Sequence, residues 1–338
     1  MKKKVAVIIL NWNGLALLQR YLPTVLKYTT QELADVIVAD NGSTDESMDY
    51  LSELGVSTIA LDKNYGFAEG YNRAIRYAEG YEYILLLNSD VRVTEQWLEP
   101  LVALLDHSST IAAVQPCILS DRAPHMLEYA GALGGYIDYL GYPFCRGRIF
   151  DTLEQHSGKY GLSPMPVFWT SGACMLIRRE LYLSAGGFDP SFFAHQEEID
   201  LCWRLQAMGY SLFVVPASTV YHYGGASLDA ANPQKTFLNY RNNLKVLAKN
   251  LPKSVRFLTL FCRFFLDLLA MIYFLITQGP QSAWSVAKAW KAFLMTRPTP
   301  IHVKVNRYVA YKNLYPHSVL FRYHFRKERH FDQLKNHP

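Results

Sequence analysis

Four apolar runs in the first 90 residues each end in a short cluster of polar residues. The segments between the runs have the apolar spacing of amphipathic helices, so strands and helices alternate along the chain. The first run is unbroken, which is typical of a parallel strand buried on both faces. Repeated strand–helix units predict an open, doubly wound α/β sheet with mostly parallel strands. The predicted strands are residues 5–10, 34–40, 56–61 and 81–87, and the predicted helices are 15–28, 44–54, 67–80 and 94–107.

The polar clusters fall where such a sheet binds ligands, beyond the carboxyl ends of its strands. We therefore expect the four clusters to meet at one edge of the sheet. Each cluster alone is also explained by turn chemistry, since Asn, Asp, Ser and Gly dominate turns. The clusters are Asn11-Trp12-Asn13, Asp40-Asn41-Gly42-Ser43, Asn64-Tyr65-Gly66 and Asn88-Ser89-Asp90.

Composition limits the class of protein. Half of the 338 residues are hydrophobic and 19% are charged, so the chain can build a large core and is not disordered. A net charge of +5 does not indicate a nucleic-acid partner. The five cysteines are widely spaced without a CxxC pair, which argues against a zinc site or a disulfide framework and favours a reducing, cytoplasmic setting. Changes in composition divide the chain into 1–115, 116–228 and 229–338.

The last segment contains a strongly apolar stretch, residues 255–276, that resembles a membrane span. Arg256, Arg263 and Asp267 interrupt it on one helical face. The longest uncharged run, 268–278, is shorter than the ~20 residues that cross a bilayer. A helix in the membrane surface fits better, although packing on the α/β core or on a second subunit is the alternative. Basic residues that would favour an anionic inner leaflet are Lys288, Lys291, Arg297, Lys304, Arg307 and Lys312.

Two carboxylates at strand ends are candidates for ligand chemistry. Asp90 could bind a hard cation such as Mg²⁺ or Mn²⁺, which needs few protein oxygens when a diphosphate supplies others. Asp40 could accept a hydrogen bond from a base or a ribose hydroxyl. The alternative for the segment around Asp40 is helix capping, with Ser43 or Thr44 at the N-terminus of the next helix.

The segment HQEEIDLCWR starts a further predicted helix. Asp200 precedes Arg204 by four residues, so the two are expected to form a structural pair. Glu197 and Glu198 cannot face the same direction, and one of them is a candidate general base. Acidic enrichment in a first helical turn is the structural alternative. His222, in the segment YHYGG, is by itself better explained by a structural role than by a role as a ligand.

Several motifs together resemble a known family. The chain resembles the inverting family 2 glycosyltransferases with the GT-A fold, especially bacterial rhamnosyl- and galactofuranosyl-transferases of surface polysaccharide synthesis. The resemblance covers residues 5–225. The matching motifs, in order, are VAVIILNWNG, VIVADNGSTDES, NYGFAEGYN, YILLLNSDV, TSGACMLIRRE, GGFDPSFFAHQEEIDLCWR and YHYGG.

The resemblance implies roles for individual residues. Glu198 would be the catalytic base, at a position where the family usually has Asp. Asp90 would be the last residue of the DxD-type motif and bind Mg²⁺ or Mn²⁺ with His222, while Asn88 replaces the first aspartate. Trp169, Thr170, Gly172 and Glu197 would line the sugar and acceptor cleft. Nucleotide-sugar binding would fall to Asn11, Asn13, Asp40, Asn41, Ser43, Asn64, Gly66, Asn88 and Arg241.

The implied function is metal-dependent, inverting transfer of a sugar from an NDP-sugar, with dTDP-rhamnose or a UDP-hexose as candidate donors. The acceptor would be lipid-linked or a polysaccharide. The three segments would be a nucleotide-sugar-binding half, an acceptor-binding half and a helical region that holds the enzyme peripherally at the inner face of the cell membrane. A homodimer is left open, and no nucleic acid is expected.

Two other functions are weighed against this one. A non-catalytic carbohydrate-binding or assembly protein at the membrane would tolerate loss of Asp90, Glu198 and His222 together, yet all three are present. A sugar nucleotidyltransferase would have a glycine-rich, basic loop after the first strand. That position instead holds Asn11-Trp12-Asn13-Gly14.

Overall fold

The computed structural model describes residues 3–224, 232–296, 299–300 and 303–334. Its strands are β1 (Val5–Asn11), β2 (Ala34–Asp40), β3 (Ser57–Ala60), β4 (Tyr83–Asn88), β5 (Val91–Val93), β6 (Ile111–Ser120), β7 (Gly135–Ile137), β8 (Pro143–Cys145), β9 (Arg148–Ile149), β10 (Thr152–Leu153), β11 (Met165–Pro166), β12 (Cys174–Arg178) and β13 (Ser211–His222). Its α-helices are α1 (Leu15–Tyr28), α2 (Ser47–Leu54), α3 (Gly66–Tyr77), α4 (Glu99–His107), α5 (Arg179–Ser184), α6 (Glu197–Ala207), α7 (Pro233–Asn250), α8 (Lys253–Thr277), α9 (Pro280–Met295), α10 (Arg307–Lys312) and α11 (Val319–His324).

A large mixed sheet forms the centre of the fold and confirms the predicted mostly parallel α/β architecture. Its order is β11-β13-β6-β12-β4-β1-β2-β3, and β5 pairs with β13. Strands β3, β2, β1 and β4 are parallel, β12 runs antiparallel between β4 and β6, and β13 is parallel to β6. A smaller four-stranded sheet contains β7 to β10.

The unbroken apolar run of β1 reflects burial on both faces of the large sheet. Ala6 and Ile8 pack in the core that includes α3 and α6, whereas Val5, Val7 and Ile9 pack in the core that includes α1 and α4. The carboxyl ends of β1, β2 and β4 consequently lie side by side, with Asn11 opposite Asp40 in the β1–β2 register.

Two predicted helices begin later than expected. Helix α2 begins at Ser47 instead of residue 44, because the Asp45 carboxylate accepts hydrogen bonds from the backbone N–H groups of Leu15 and Ser47. Helix α4 begins at Glu99 instead of residue 94, and Gln96 lies before it with a φ of 54°, in the left-handed region that a helix cannot contain.

The proposed division after residue 115 falls inside β6. Because β12 from the second segment inserts between β4 and β6, the first two segments share one sheet. The three-segment division therefore describes regions of proposed function within a continuous structure.

The C-terminal helix α8 has one polar, buried face and one apolar, exposed face. Arg263 donates to the Leu140 carbonyl oxygen at 3.0 Å and to Asn243 Oδ1 at 2.5 Å, and its guanidinium contacts Asp267 Oδ1 at 3.3 Å. Trp290 Nε1 donates to Asp267 Oδ2 at 2.9 Å. The predicted charged face therefore packs on the body of the protein.

The opposite face of α8 is open. Phe257 and Ile276, near its two ends, are each 79% exposed. Within the described ranges, α8 is the one helix long and apolar enough to cross a membrane by length and composition, a test that core helices of soluble proteins also pass. Further large apolar residues exposed on α8 are Leu258, Phe261, Phe264, Phe265, Leu268, Leu269, Ile272, Tyr273 and Leu275.

Candidate active site

The ends of β1 and β2 form a buried polar cluster around Asp40. Its carboxylate accepts from Asn11 Nδ2 at 2.9 Å, from Ser43 Oγ at 2.7 Å and from the Ser43 backbone N–H at 2.8 Å. Ser43 thus holds Asp40 and does not cap α2, which has no side-chain cap. The buried Oδ1 of Asn11 has no hydrogen-bond partner among the described residues, so it can still accept from a ligand.

A second polar cluster joins the ends of β2 and β3. Asn41 donates from Nδ2 to Asn64 Oδ1 and to the Gly66 carbonyl oxygen, each at 3.1 Å, and accepts from the Tyr65 backbone N–H at 3.0 Å. Asn13, in a left-handed conformation with φ 47°, accepts from the Thr44 backbone N–H at 2.7 Å. The structure therefore brings together the predicted nucleotide-sugar residues that follow the first three strands.

Asp90 and His222 meet although 132 residues separate them (222 − 90). The chain turns back after β4 into β5, and β5 pairs with β13 so that His222 lies opposite Val91. His222 Nε2 lies 3.1 Å from Asp90 Oδ1, and Asn88 Nδ2 lies 3.5 Å from the same nitrogen. The Gly224 backbone N–H donates to Asp90 Oδ2 at 3.2 Å.

The geometry of this pair fits a divalent cation. Two neighbouring ligands of an octahedral ion, each about 2.1 Å from it, are separated by about 3 Å. The two donor atoms are 3.1 Å apart. Among the described residues no group of three or more His, Cys, Asp or Glu side chains could hold a metal ion. Asp90 and His222 would therefore supply only part of a coordination shell and leave positions for phosphate oxygens and water.

A second carboxylate, Glu128, lies on the other side of the His222 ring. Its Oε1 is 3.4 Å from His222 Nδ1. Burial alone lowers the pKa of His222, but Asp90 and Glu128 outweigh it and raise the pKa to about 10. Burial raises the pKa of Asp90, and the facing imidazolium reverses this, so the pKa of Asp90 is below its usual range. Sequence reasoning missed Glu128, because no motif marks its position.

The loop before α6 has an unusual backbone. Phe193, His195 and Gln196 have φ angles of 66°, 69° and 73°. Such left-handed conformations in residues other than glycine cost about 1–3 kcal/mol each and occur at functional sites. Asn242 on α7 holds the loop by donating to the carbonyl oxygens of Phe192 at 3.0 Å and of Ala194 and His195, each at 2.8 Å.

The same loop contacts the nucleotide-binding half. The Phe193 carbonyl oxygen accepts from the backbone N–H groups of Phe67 at 2.8 Å and Ala68 at 3.2 Å, at the start of α3. Gly66 has a φ of 76°, and a Cβ there would lie 2.5 Å from the Phe193 ring. Gly66 is therefore needed for the close approach of the two segments.

Glu197 and Glu198 open helix α6 and differ in environment. Glu197 is 4% exposed, and burial together with Glu198 raises its pKa well above the usual range. Glu198 is partly exposed, and burial of its carboxyl group raises its pKa to about 7. The Oε2 atoms of both residues are buried and have no hydrogen-bond partner among the described residues. Glu198 is thus the more accessible carboxylate, with a pKa suited to a general base at neutral pH.

Gly172 connects Glu198 to the end of β4. A Cβ on Gly172 would lie 3.8 Å from the Glu198 Cβ and 3.4 Å from the Phe67 ring. The next residue, Ala173, accepts a hydrogen bond at its carbonyl oxygen from the Asn88 backbone N–H at 3.0 Å. The Gly172–Ala173 segment therefore lies between Glu198 and the Asn88–Asp90 turn.

Three other predicted site residues have internal partners. Trp169 is 3% exposed and donates from Nε1 to the Tyr136 carbonyl oxygen at 2.9 Å. Thr170 is buried with its backbone N–H and hydroxyl 3.5 Å from Cys202 Sγ. Arg241 donates to the carbonyl oxygens of Phe192 at 2.9 Å and Ser191 at 3.3 Å. In this arrangement Trp169 packs on the backbone of β7, Thr170 contacts α6 through Cys202, and Arg241 holds the loop before α6.

The predicted pair between Asp200 and Arg204 is confirmed at 2.9 Å. Asp200 also accepts from Lys249 at 2.9 Å and from Asn250 at 2.8 Å, so this carboxylate is fully engaged in attaching α6 to α7. It is a structural group and not a second candidate base.

Comparisons with solved structures agree with the fold. A crystal structure of GalNAc-T7 with UDP, GalNAc and Mn²⁺ is similar with a TM-score of 0.58 and 19% identity, over 72% of this chain and 47% of that one. A mannosyltransferase from Pyrobaculum calidifontis, in complex with GDP-Man and Mn²⁺, is similar with a TM-score of 0.53 and 16% identity, over 86% of this chain and 76% of that one. The GT-A-type fold is thereby confirmed.

Sequence comparisons give the family. The model of glycosyl transferase family 2 matches residues 6–182. The N-acetylglucosaminyl-diphospho-decaprenol L-rhamnosyltransferase of Mycobacterium tuberculosis is 30% identical over 229 residues, 61% of this chain and 71% of that protein. The rhamnosyltransferase WbbL of Escherichia coli K12 is 31% identical over 165 residues, 47% of this chain and 61% of that protein. The chain therefore belongs to glycosyl transferase family 2 and is a glycosyltransferase related to rhamnosyltransferases.

Proposed function

We propose that the enzyme transfers a sugar from a nucleoside-diphosphate donor to a lipid-linked or polysaccharide acceptor, with a divalent cation and with inversion at the anomeric carbon. The observation that carries the proposal is the Gly172–Ala173 segment, where a Cβ at Gly172 would lie 3.8 Å from the Glu198 Cβ and the Ala173 carbonyl oxygen accepts from the Asn88 backbone N–H. It brings a general-base candidate next to a cation-binding candidate at the ends of the strands, where α/β sheets bind nucleotides.

Asp90 and His222 would hold the cation, Mg²⁺ or Mn²⁺, and the cation would displace the proton that the two carboxylates otherwise hold on His222. The cation would offset the negative charge that develops on the leaving diphosphate. Asn11 and Asp40 lie at the neighbouring strand ends, and the unpartnered Oδ1 of Asn11 is available to a donor group of the nucleotide. These positions support a donor lying along the ends of β1, β2 and β4.

Glu198 would remove the proton from the attacking acceptor hydroxyl. A single base suffices for direct in-line displacement, which inverts the configuration. A retaining glycosidase uses two carboxyl groups about 5 Å apart on either side of the bond. Glu197 does not supply such a second group, because it is buried, whereas Glu198 is partly exposed.

A lipid-linked acceptor is supported by the name of the mycobacterial relative, which denotes a diphospho-decaprenol substrate. It is also supported by α8. The middle of α8 is held against the body of the enzyme through Arg263 and Asp267, so the helix cannot be surrounded by lipid. Its opposite face is apolar and exposed. This arrangement suits a helix lying in the inner surface of the cell membrane, where a cytoplasmic enzyme would meet a lipid-linked acceptor.

The test is binding of a panel of nucleotide sugars, with and without Mn²⁺, to the wild-type enzyme and to Asp90→Ala. We expect one donor to bind only with metal and only with Asp90 intact. Asp106→Ala removes a carboxylate that contacts Lys4 and Tyr83, at the opposite ends of β1 and β4, and serves as a control for general damage to the sheet. If no donor binds under any condition, the proposed donor site is wrong and a carbohydrate-binding role is favoured.

A further inference from the structure

A buried carboxylate beside the proposed cation site has no role in the function described so far. Glu128 lies in the connection after β6 and is 6% exposed. Its Oε2 accepts from the Ala130 backbone N–H at 2.5 Å, and its backbone N–H donates to the Ile118 carbonyl oxygen at 3.0 Å. The side chain is thus fixed at one oxygen, and the other, Oε1, faces His222 Nδ1 at 3.4 Å.

The two sides of the His222 ring are therefore occupied by different groups. Nε2 faces Asp90 and Asn88, whereas Nδ1 faces only Glu128 among the polar contacts of the described residues. The ring is buried, and its backbone is held because the Asp121 N–H donates to the His222 carbonyl oxygen at 2.9 Å. Nδ1 has no hydrogen-bond partner among the described residues, so Glu128 acts on it through charge at ion-pair distance and leaves Nε2 on the side of Asp90.

The space around Glu128 is also restricted. Gly224 has a φ of 66°, and a Cβ there would lie 3.1 Å from Glu128 Oε1 and 3.9 Å from His222 Nδ1. The Gly224 N–H donates to Asp90 Oδ2. The same glycine therefore allows Glu128 to approach the ring and connects the backbone to the opposite ligand.

We propose that Glu128 is a positioning residue that orients His222, so that its Nε2 binds the divalent cation together with Asp90. Carboxylates that accept from the second nitrogen of a metal-binding histidine fix both its tautomer and its ring orientation, and removing them weakens metal binding by ~10–100-fold. The inference rests on the proposed cation site and adds to it a group that does not touch the metal.

The experiment is titration of the purified full-length enzyme with Mn²⁺ alone, following the electron paramagnetic resonance of free Mn²⁺. We expect Glu128→Ala to weaken binding by ~10–100-fold. Glu128→Gln should weaken it less, since the amide oxygen still presents a partial negative charge to Nδ1. Asp106→Asn is the control: its carboxylate contacts Lys4 and Tyr83 at the opposite end of the sheet, so Mn²⁺ affinity should remain that of the wild type.

The outcomes separate the two proposals. If Asp90→Ala weakens Mn²⁺ binding and both Glu128 variants bind like the wild type, the cation site stands and the positioning role is overturned. If Asp90→Ala also binds like the wild type, the cation site itself is wrong and the role of Glu128 fails with it. A second readout is independent of metal: nitrogen chemical shifts of the His222 ring, assigned with His222→Gln, should change in Glu128→Ala but not in Asp106→Asn.

Discussion

Asn243 on α7 donates a hydrogen bond from Nδ2 to Gln196 Oε1, 3.2 Å away, at the residue that immediately precedes helix α6. Its Nδ2 also donates to the Gly141 carbonyl oxygen at 2.8 Å, and its Oδ1 accepts from Arg263 on α8. One amide therefore connects the apolar C-terminal helix with the strained loop before Glu197 and Glu198. The position of α8 and the position of the proposed base are structurally linked.

Replacing this amide should lower turnover without affecting the cation site. Asn243→Ala leaves the buried Arg263 with one acceptor fewer, which should cost about 1–3 kcal/mol in the free energy of unfolding. We expect kcat to fall by on the order of tenfold, as Gln196 and the start of α6 lose their support. Chemical denaturation and steady-state kinetics measure the two effects.

Asn232→Ala is the control for that change. Asn232 caps α7 by accepting from the Gln234 backbone N–H at 2.9 Å, far along the helix from Asn243. Loss of the cap should cost about 1 kcal/mol in stability and leave kcat unchanged. If both variants reduce kcat equally, the effect follows general destabilisation of α7.

Glu198→Gln should abolish transfer and preserve donor binding. The amide occupies the same volume but cannot accept the proton of the acceptor hydroxyl, so kcat should fall by ~10²–10⁴-fold. Glu197→Gln, on the adjacent buried residue, should retain most activity. The reverse result, with activity lost only in Glu197→Gln, would assign the base to Glu197.

The pH dependence of kcat should report the raised pKa of Glu198. Burial shifts this pKa upward to about 7, so the carboxyl is protonated and inactive below that value and ionised above it. At saturating Mn²⁺, donor and acceptor, kcat should rise by ~tenfold per pH unit below the midpoint and level off above it. A midpoint at the ordinary value of a glutamate would contradict the assignment.

Asn88→Asp should strengthen cation binding. The side-chain nitrogen of Asn88 lies 3.5 Å from His222 Nε2, so the substitution adds a carboxylate beside the proposed ligands. Hard cations are bound more tightly as the number of charged oxygen ligands increases, and we expect a gain on the order of tenfold in Mn²⁺ affinity. Asn13→Asp adds the same charge at the same sheet edge without contact to His222, and should give no comparable gain.

Polar substitutions on the open face of α8 should release the enzyme from membranes. Phe257→Ser with Ile276→Ser removes two exposed apolar side chains, each worth about 1.5 kcal/mol or more when buried. Co-sedimentation with vesicles containing anionic lipid should fall by on the order of 100-fold. Leu162→Ser, at a residue that is exposed but distant from α8 in sequence, should sediment like the wild type.

The sequence was sufficient to predict the parts of the fold that depend on local periodicity. The alternation of strands and helices before residue 108 indicated the parallel sheet, and the polar residues at its strand ends are confirmed as neighbours. The charges of α8 were predicted to share one helical face, and Arg263 and Asp267 do lie on one face, but the sequence did not indicate that this face is buried.

Features that depend on long-range pairing were not predictable. The insertion of β12 between β4 and β6 and the contact of Glu128 with His222 arise from tertiary packing, which leaves no periodic signal. Trp169 and Thr170 illustrate the same limit. Their placement in the sugar and acceptor cleft remains a prediction from the motif, and the motif gave no sign that both residues are buried.

The order of strands in the large sheet has a consequence for biosynthesis. Strand β6 is completed at Ser120, but its neighbours β12 and β13 end only at Arg178 and His222. During translation the backbone groups of β6 therefore remain unpaired until about a hundred further residues have been synthesised. Unpaired strand edges of this kind promote aggregation. A fragment that stops at residue 182, where the match to the family model ends, would keep one side of β6 permanently uncovered. Useful expression fragments must extend beyond β13, whatever the limits of the family match.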